Sequence, residues 1–182
     1  NDKIHIVPHL NPIPNEMIMI GMDFGLTPCA VIAQMDSYGR LLLLEEIVSF
    51  GMGIERFIDT RMNPILRARY SSNSVLCIGD PTGSVRVQTN EGSVFRSIRN
   101  KGYKVIGAPS NNLAPRLGAV EHFLTLLVNG KGGMLIDEKK CPMIISGFRG
   151  GYRFAKIRGG SAGGGFKDTP DKNDNSHIPD AT

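Results

Sequence analysis

The 182-residue sequence predicts a mixed α/β domain built on one sheet. Three observations carry that reading. Two apolar runs, "MIMIGMDFG" at 17–25 and "SVLCIGDPTG" at 74–83, each end in an aspartate and a turn, the pattern of strands buried in a sheet's interior. "AVIAQMDSYGRLLLLEEIV" has two further apolar runs around Asp36-Ser37-Tyr38-Gly39, a hairpin signature. Beyond them, segments with helical apolar spacing alternate with short strand-like runs.

Each element follows from its residues. Pro8, Pro12 and Pro14 make residues 1–16 an extended arm or linker remnant ahead of a domain spanning 17–182. The first strand runs to Asp23 and the hairpin follows it. Ile54, Phe57, Ile58, Met62, Ile65 and Leu66 predict a helix from Gly53 to Tyr70, kinked or divided at Pro64. A strand then ends at Asp80. A helix is expected over 93–101, a strand over 103–107 and a helix over 115–128. "GGMLIDEKKCPMIISGFRGGYRF" predicts a small C-terminal lobe: a short strand, a short helix from Pro142 and a strand at 152–156. Residues 157–175, rich in Gly, Lys and Asp, read as a mobile loop. Ser176 is a good N-cap for a closing helix, with Pro179 tolerated in its first turn.

Composition narrows the class. Hydrophobic residues make up 41% and charged residues 21%, as in soluble globular proteins. No apolar run approaches membrane-spanning length and no secretory leader is read at the start, so no membrane partner is expected. A chain opening on Asn1 reads as a piece of a longer one. Cys29, Cys77 and Cys141 are scattered without CxxC spacing, which argues against a zinc site and for a reducing compartment. The net charge of +4 permits a polyanionic partner without demanding one.

The chemistry is suggested by carboxylates. If the strands ending in Asp23 and Asp80 are parallel neighbours, both acids lie at the carboxyl edge of the sheet, where ligands gather in open α/β folds. Adjacent carboxylates repel unless a cation or proton sits between them. A closing helix laid across that edge brings Asp180, and with it His177 three residues earlier on the same helical face, to the same point. Three carboxylates without cysteine describe a hard-oxygen site for Mg²⁺ or Mn²⁺, and such a site can hold two ions for phosphodiester cleavage. Taken singly, Asp23 is a polar strand end, Asp80 a turn acid before Pro81, and His177 with Asp180 a helix cap.

These stretches resemble the C-terminal nuclease domain of tailed-bacteriophage terminase large subunits. "GMDFGLTPCAVIAQ" resembles the family's first-strand motif and "IGDPTG" its fourth-strand motif. "RLGAVEHFLTLLVNGKGGMLIDEKKCPMIISGFRGGYRF" resembles the following helix and lobe, and "KNDNSHIPDA" the last acidic motif. The resemblance covers nearly all of the chain after residue 16. It implies an RNase H-like mixed sheet flanked by helices and a metal-dependent endonuclease with a two-metal mechanism. By position it makes Asp23, Asp80 and Asp180 the metal ligands, with Asp23 bridging, and His177 an accessory residue of the catalytic site. It implies double-stranded DNA, the terminase ATPase domain, the small terminase subunit and the portal as partners, in the cytoplasm of an infected bacterial host. The family's last motif runs on into a longer helix, whereas only Ala181 and Thr182 follow here.

Other signals compete with this one. "NGKGG" at 129–133 lacks the spacing and hydroxyl of a Walker loop, so no ATPase chemistry is expected. "DFG" at 23–25 stands without the HRD-type loop or VAIK-type strand of a protein kinase. "DFGLT" fits the phosphate loop of actin-like phosphotransferases, which need a second domain of similar size. A non-catalytic nucleic-acid-binding module on the same fold is the other alternative. Arg149, Arg153, Lys156, Arg158 and Lys167 form a basic stretch, either solvated surface or a DNA-contacting groove. "GGSAGGG" at 159–165 reads as a flexible loop, and one of Glu45 and Glu46 as a possible fourth acid. His5, His9 and His122 read as structural or exposed.

Overall fold

The structure is a computed structural model that describes residues 1–24, 27–84, 93–110, 112–151, 154–156, 166–170 and 181. A helical turn, α1 (Asp2–His5), leads into β1 (Ile6–Val7). β2 (Ile18–Asp23), β3 (Cys29–Met35) and β4 (Leu41–Val48) follow as antiparallel neighbours. α2 (Ile54–Phe57) widens into a π-helical segment at Ile58–Met62 and continues as α3 (Asn63–Arg69). Pro64 follows closely on the π-helical segment, so the expected division falls just ahead of it. Next come β5 (Val75–Gly79), a 3₁₀ turn (Pro81–Ser84), α4 (Val94–Asn100) and β6 (Lys104–Gly107). α4 is capped by the Ser93 hydroxyl, which accepts from Arg96 N at 3.2 Å. α5 (Leu113–Thr125), a small hairpin of β7 (Leu127–Val128) and β8 (Lys131–Gly132), β9 (Met134–Asp137) and α6 (Pro142–Ser146) complete the main body. β10 (Phe154–Lys156) and β11 (Phe166–Pro170) pair antiparallel as a separate ribbon.

The seven-stranded sheet has the order β1-β9-β4-β3-β2-β5-β6. β2, β5 and β6 are parallel, β3 runs against both its neighbours, and β4, β9 and β1 are parallel to one another. That is the RNase H-like mixed sheet expected from sequence, extended by β9 and β1. Alternation along the strands sorts the core into two layers. Ile18, Ile20, Met22 and Ile32 pack under α2, α3 and α4, around Phe57, Ile58, Met62, Phe95 and Ile98. Val31, Ala33, Leu43 and Ile136 face the other way, toward Ile144 and Ile145 of α6 and Ala181. Each fully buried Ile or Phe contributes roughly 1.5–3 kcal/mol, so both faces are strongly specified.

Three local expectations are corrected. The first residues are not only an extended arm, because α1 forms a turn and β1 adds a strand to β9 through Ile6↔Ile136 and Val7↔Asp137. The helix predicted over 115–128 is Leu113–Thr125, and Leu127–Val128 instead starts a hairpin turning at Asn129 and Gly130, both at positive φ (51° and 76°). The stretch expected as a loop at 157–175 contains β11 at Phe166–Pro170. The "GGSAGGG" segment and the helix expected from Ser176 lie outside the described residues, apart from helical Ala181.

Asp137 ties the arm to the sheet. Its buried carboxylate accepts from Leu10 N (2.8 Å), Lys139 N (3.0 Å) and Lys140 N (2.9 Å), and meets His9 Nδ1 at 3.2 Å. Burial alone would raise its pKa, but the backbone bonds from Leu10, Lys140 and Lys139 outweigh it and hold the group below its ordinary value of 3.8. A depressed folded pKa means that the stabilisation is present above pH 3.8 and is lost as pH falls through the folded value. Asp137→Asn forces an amide N–H toward existing donors, so it should lower unfolding stability at pH 7 by about 1–3 kcal/mol. Denaturant titration should show that deficit narrowing below pH 3.8. A deficit unchanged by acid would show that the charge is not what matters.

Candidate metal and nucleic-acid site

Asp23 and Asp80 meet because β2 and β5 pair in parallel with a register that ends at Met22↔Gly79. The next residue on each strand is an acid. Neighbouring strands lie about 4.8 Å apart, so the two carboxylates leave the sheet side by side at its carboxyl edge. Pro81 keeps Asp80 extended. Thr82 then sets the carboxylate's rotation, with its backbone N–H and its hydroxyl each donating to Asp80 Oδ1 at 2.7 Å.

Both acids line a cleft of about 690 Å³. The sheet supplies its floor through Met19, Gly21, Val31 and Leu43. One wall comes from α5, including Arg116, Leu117 and Val120, and from residues 108–110, which leave β6. Phe148 and Ala181 complete it. The lining is mostly apolar around one acidic edge, which strengthens charge interactions there relative to open water.

Two glycines make the edge possible. A Cβ on Gly21 would collide with the backbone carbonyl oxygen of Ala181, so glycine lets Ala181 lie directly on the sheet two residues before Asp23. A Cβ on Gly79 would collide with the ring of Phe24. That ring, one residue after Asp23, also fills the space over Gly83 and meets Phe95 of α4 edge-on, with centroids 6.0 Å apart. Phe24 therefore locks the residue beside one acid against both sides of the other.

The remaining sequence-predicted residues are distributed differently. Asp180 and His177 lie outside the described residues. Among the described residues no group of three His, Cys, Asp or Glu side chains converges. Arg149 is exposed and bonded to Asp2, with Nε and Nη2 at 3.0 and 2.8 Å from Oδ2, so that guanidinium is engaged by a carboxylate and not presented to the cleft. Arg153 and Arg158 lie outside the described residues, while residues 156 and 167 stand on the adjoining strands β10 and β11.

Glu45 and Glu46 do not join the acids at the cleft. An extra residue at Leu44 breaks the register with β3, since Ile32 pairs with Glu45 and Ala33 with Leu43. Glu45 turns to Arg69 and to the Tyr70 hydroxyl at 3.1 Å. Glu46 accepts from Met143 N and Ile144 N at 2.8 and 2.9 Å, capping α6. Burial raises the Glu46 pKa, and those two backbone bonds offset only part of the rise. His5 is buried with Nδ1 2.8 Å from Met134 O, His9 bonds Asp137 and Asn11, and His122 meets Phe123 edge-on, all structural or exposed as expected. Cys29, Cys77 and Cys141 are buried and form no disulfide, and burial pushes the Cys77 thiol up to about 12.

Sequence reasoning passed over Gly21, Phe24, Thr82 and Arg116. "IGMD" signalled Gly21, because a glycine inside a buried strand marks a close approach. "DPT" signalled Thr82 as an orienting turn residue. Nothing in the pattern near Arg116 pointed to the cleft.

Among the described residues, no helix is long and apolar enough to cross a membrane. No protein-family pattern and no characterised relative matches the sequence. The fold does have solved counterparts. Two crystal structures of the large terminase from a thermophilic bacteriophage, one in complex with ATP-gamma-S, match it with a TM-score of 0.66 and 19% identity. The match covers 100% of this chain and 42% of the terminase, so the chain has the fold of one part of that longer protein.

Proposed function

We propose that this chain is a metal-dependent DNA endonuclease domain of a viral genome-packaging terminase. The observation that carries this reading is the pairing of Asp23 and Asp80 at adjacent strand ends within one cleft. Ala181, next in sequence to Asp180, rests on Gly21 of the same strand and lines the same cleft, which supports Asp180 as the third acid. Two neighbouring carboxylates with no cysteine among the cleft-lining residues suit a hard divalent ion.

Asp23, Asp80 and Asp180 would hold Mg²⁺ or Mn²⁺, which when bound supplies an activated water and offsets charge on the departing oxygen of a phosphodiester. The chain's own residues prepare that chemistry. Thr82 holds the Asp80 carboxylate in a fixed orientation, so little reorganisation is needed there when substrate arrives. Arg116 brings a cation to the wall facing the acids, suited to a substrate phosphate. The apolar floor and α5 limit the water that reaches the acidic edge. His177 is assigned an accessory role: it orients Asp180 or gives a proton to the leaving oxygen. Double-stranded DNA is the substrate in this reading, with Arg153, Lys156, Arg158 and Lys167 as phosphate contacts. The terminase ATPase domain, the small subunit and the portal are its partners, in the infected host's cytoplasm.

Asp80→Asn keeps the side chain's shape and removes its charge. Cutting of supercoiled plasmid in Mn²⁺ should collapse in this variant, while the melting temperature without metal holds or rises as carboxylate repulsion is relieved. Undiminished cutting would remove Asp80 from the site. DNA retarded but uncut by the wild type in every metal would favour the non-catalytic binding module.

Binding to the native state should stabilise the fold. Millimolar Mn²⁺ is expected to raise the wild-type melting temperature and to do little for Asp23→Asn. An equal rise in both would place the ion elsewhere.

His177→Ala should slow plasmid cutting by roughly ten- to a hundred-fold, as for other residues that orient a ligand. Asp180→Ala should abolish it nearly completely. A His177→Ala rate equal to wild type would leave the histidine a helix-cap role alone.

A further inference from the structure

The helical layer on the far side of the sheet carries more positive charge than the whole protein. Helices α2–α3 (54–69) and the α4 turn (94–101) hold seven basic side chains against two acidic ones, a net of +5 where the chain totals +4. Both acids are used between the helices. Glu55 accepts from the Ser97 hydroxyl at 2.8 Å, and Asp59 binds Lys101 at 2.6 Å. Arg69 is held by Glu45, and Arg99 by the Val105 carbonyl and the Phe95 ring. Among the described residues, Arg56, Arg61, Arg67 and Arg96 are exposed and their guanidiniums take part in no hydrogen bond or ion pair.

We infer that this layer is a second duplex-DNA surface, one that grips phosphates without cutting. It is separate from the cleft, because Ile18 and Ile20 point under these helices while Met19, Gly21 and Asp23 line the cleft on the other face. The chemistry favours a phosphate backbone. The unpaired cations are all guanidiniums, whose planar fork matches phosphate oxygens in pairs. No large exposed hydrophobic side chain lies on α2, α3 or α4, so the surface lacks the apolar anchor of a protein interface. From Arg56 to Arg67 the helical rise is about 16 Å, enough to reach phosphates across a groove about 12 Å wide. A duplex held here stays with the protein whether or not another segment occupies the cleft. The inference leans on the proposed function only in naming DNA as the polyanion.

Binding of a fluorescent duplex of about 30 bp by the full chain in EDTA tests it without any cleavage. Arg56→Gln/Arg96→Gln should weaken binding at least ten-fold at about 0.1 M salt, and the slope of log K against log salt should fall by about 2, close to 0.9 per lost contact. Lys131→Gln/Lys139→Gln removes the same charge elsewhere and should change affinity less than about two-fold. Because binding is read in EDTA, where nothing is cut, and is scored against the charge-matched variant, failure of the cleavage reading and failure of this one are told apart. Equal losses in the two double variants would overturn the proposal, as would tighter binding of polyglutamate than of the duplex, which would mark an acidic protein as the partner. Matching melting curves for all variants establish that the comparison reads the surface and not the fold.

Discussion

The parallel pairing of β2 with β5 is the constraint on which the rest depends. A strand's side-chain period is two, so a slip of one residue would turn Asp23 toward the α2–α4 layer and bury it among Ile and Phe side chains. The register is held from three sides. Ile18, Ile20 and Met22 must face the helical layer, Gly21 must face the Ala181 carbonyl, and Gly79 must face the Phe24 ring. The two glycines are the points where the sheet gives up side-chain volume so that other groups can come close to the acidic edge.

The same sheet divides the charge of the molecule. On one face, two carboxylates share the end of a cleft whose walls are largely apolar. On the other, the acids of the α2–α3 helix are spent on α4, and arginines take up the exterior. Three buried or half-buried acids away from the cleft have structural partners: Glu46 caps α6, Glu45 holds Arg69 and Tyr70, and Asp137 fastens the arm. This sorting explains why a modest net charge conceals a strongly basic face.

Local pattern was enough to read the strands that matter most. Runs ending at Asp23 and Asp80, the hairpin turning at Gly39, the Ser93 cap and the division at Pro64 are all properties of contiguous residues. What escaped depended on distant partners. Ile6–Val7 is too short to announce a strand, and becomes one only because Ile136 and Asp137 offer an open edge. Phe166–Pro170 is strand by pairing with β10, in a stretch whose composition resembles a loop. The hairpin at Asn129-Gly130 was legible in its turn dipeptide and was hidden by the helical spacing before it. At the site, two acids could be named in advance, but Thr82 and Phe24 acquire their roles from geometry that spacing does not contain.

We propose that the β2–β5 register builds a centre for divalent ions. Counting bound Mn²⁺ by electron paramagnetic resonance, as free ion lost on adding protein, tests it most directly. Two Mn²⁺ should bind per wild-type chain in the millimolar range, and Asp23→Asn should lose both. Wild type that leaves the free-ion signal unchanged, or Asp23→Asn that binds as many ions as wild type, would contradict it.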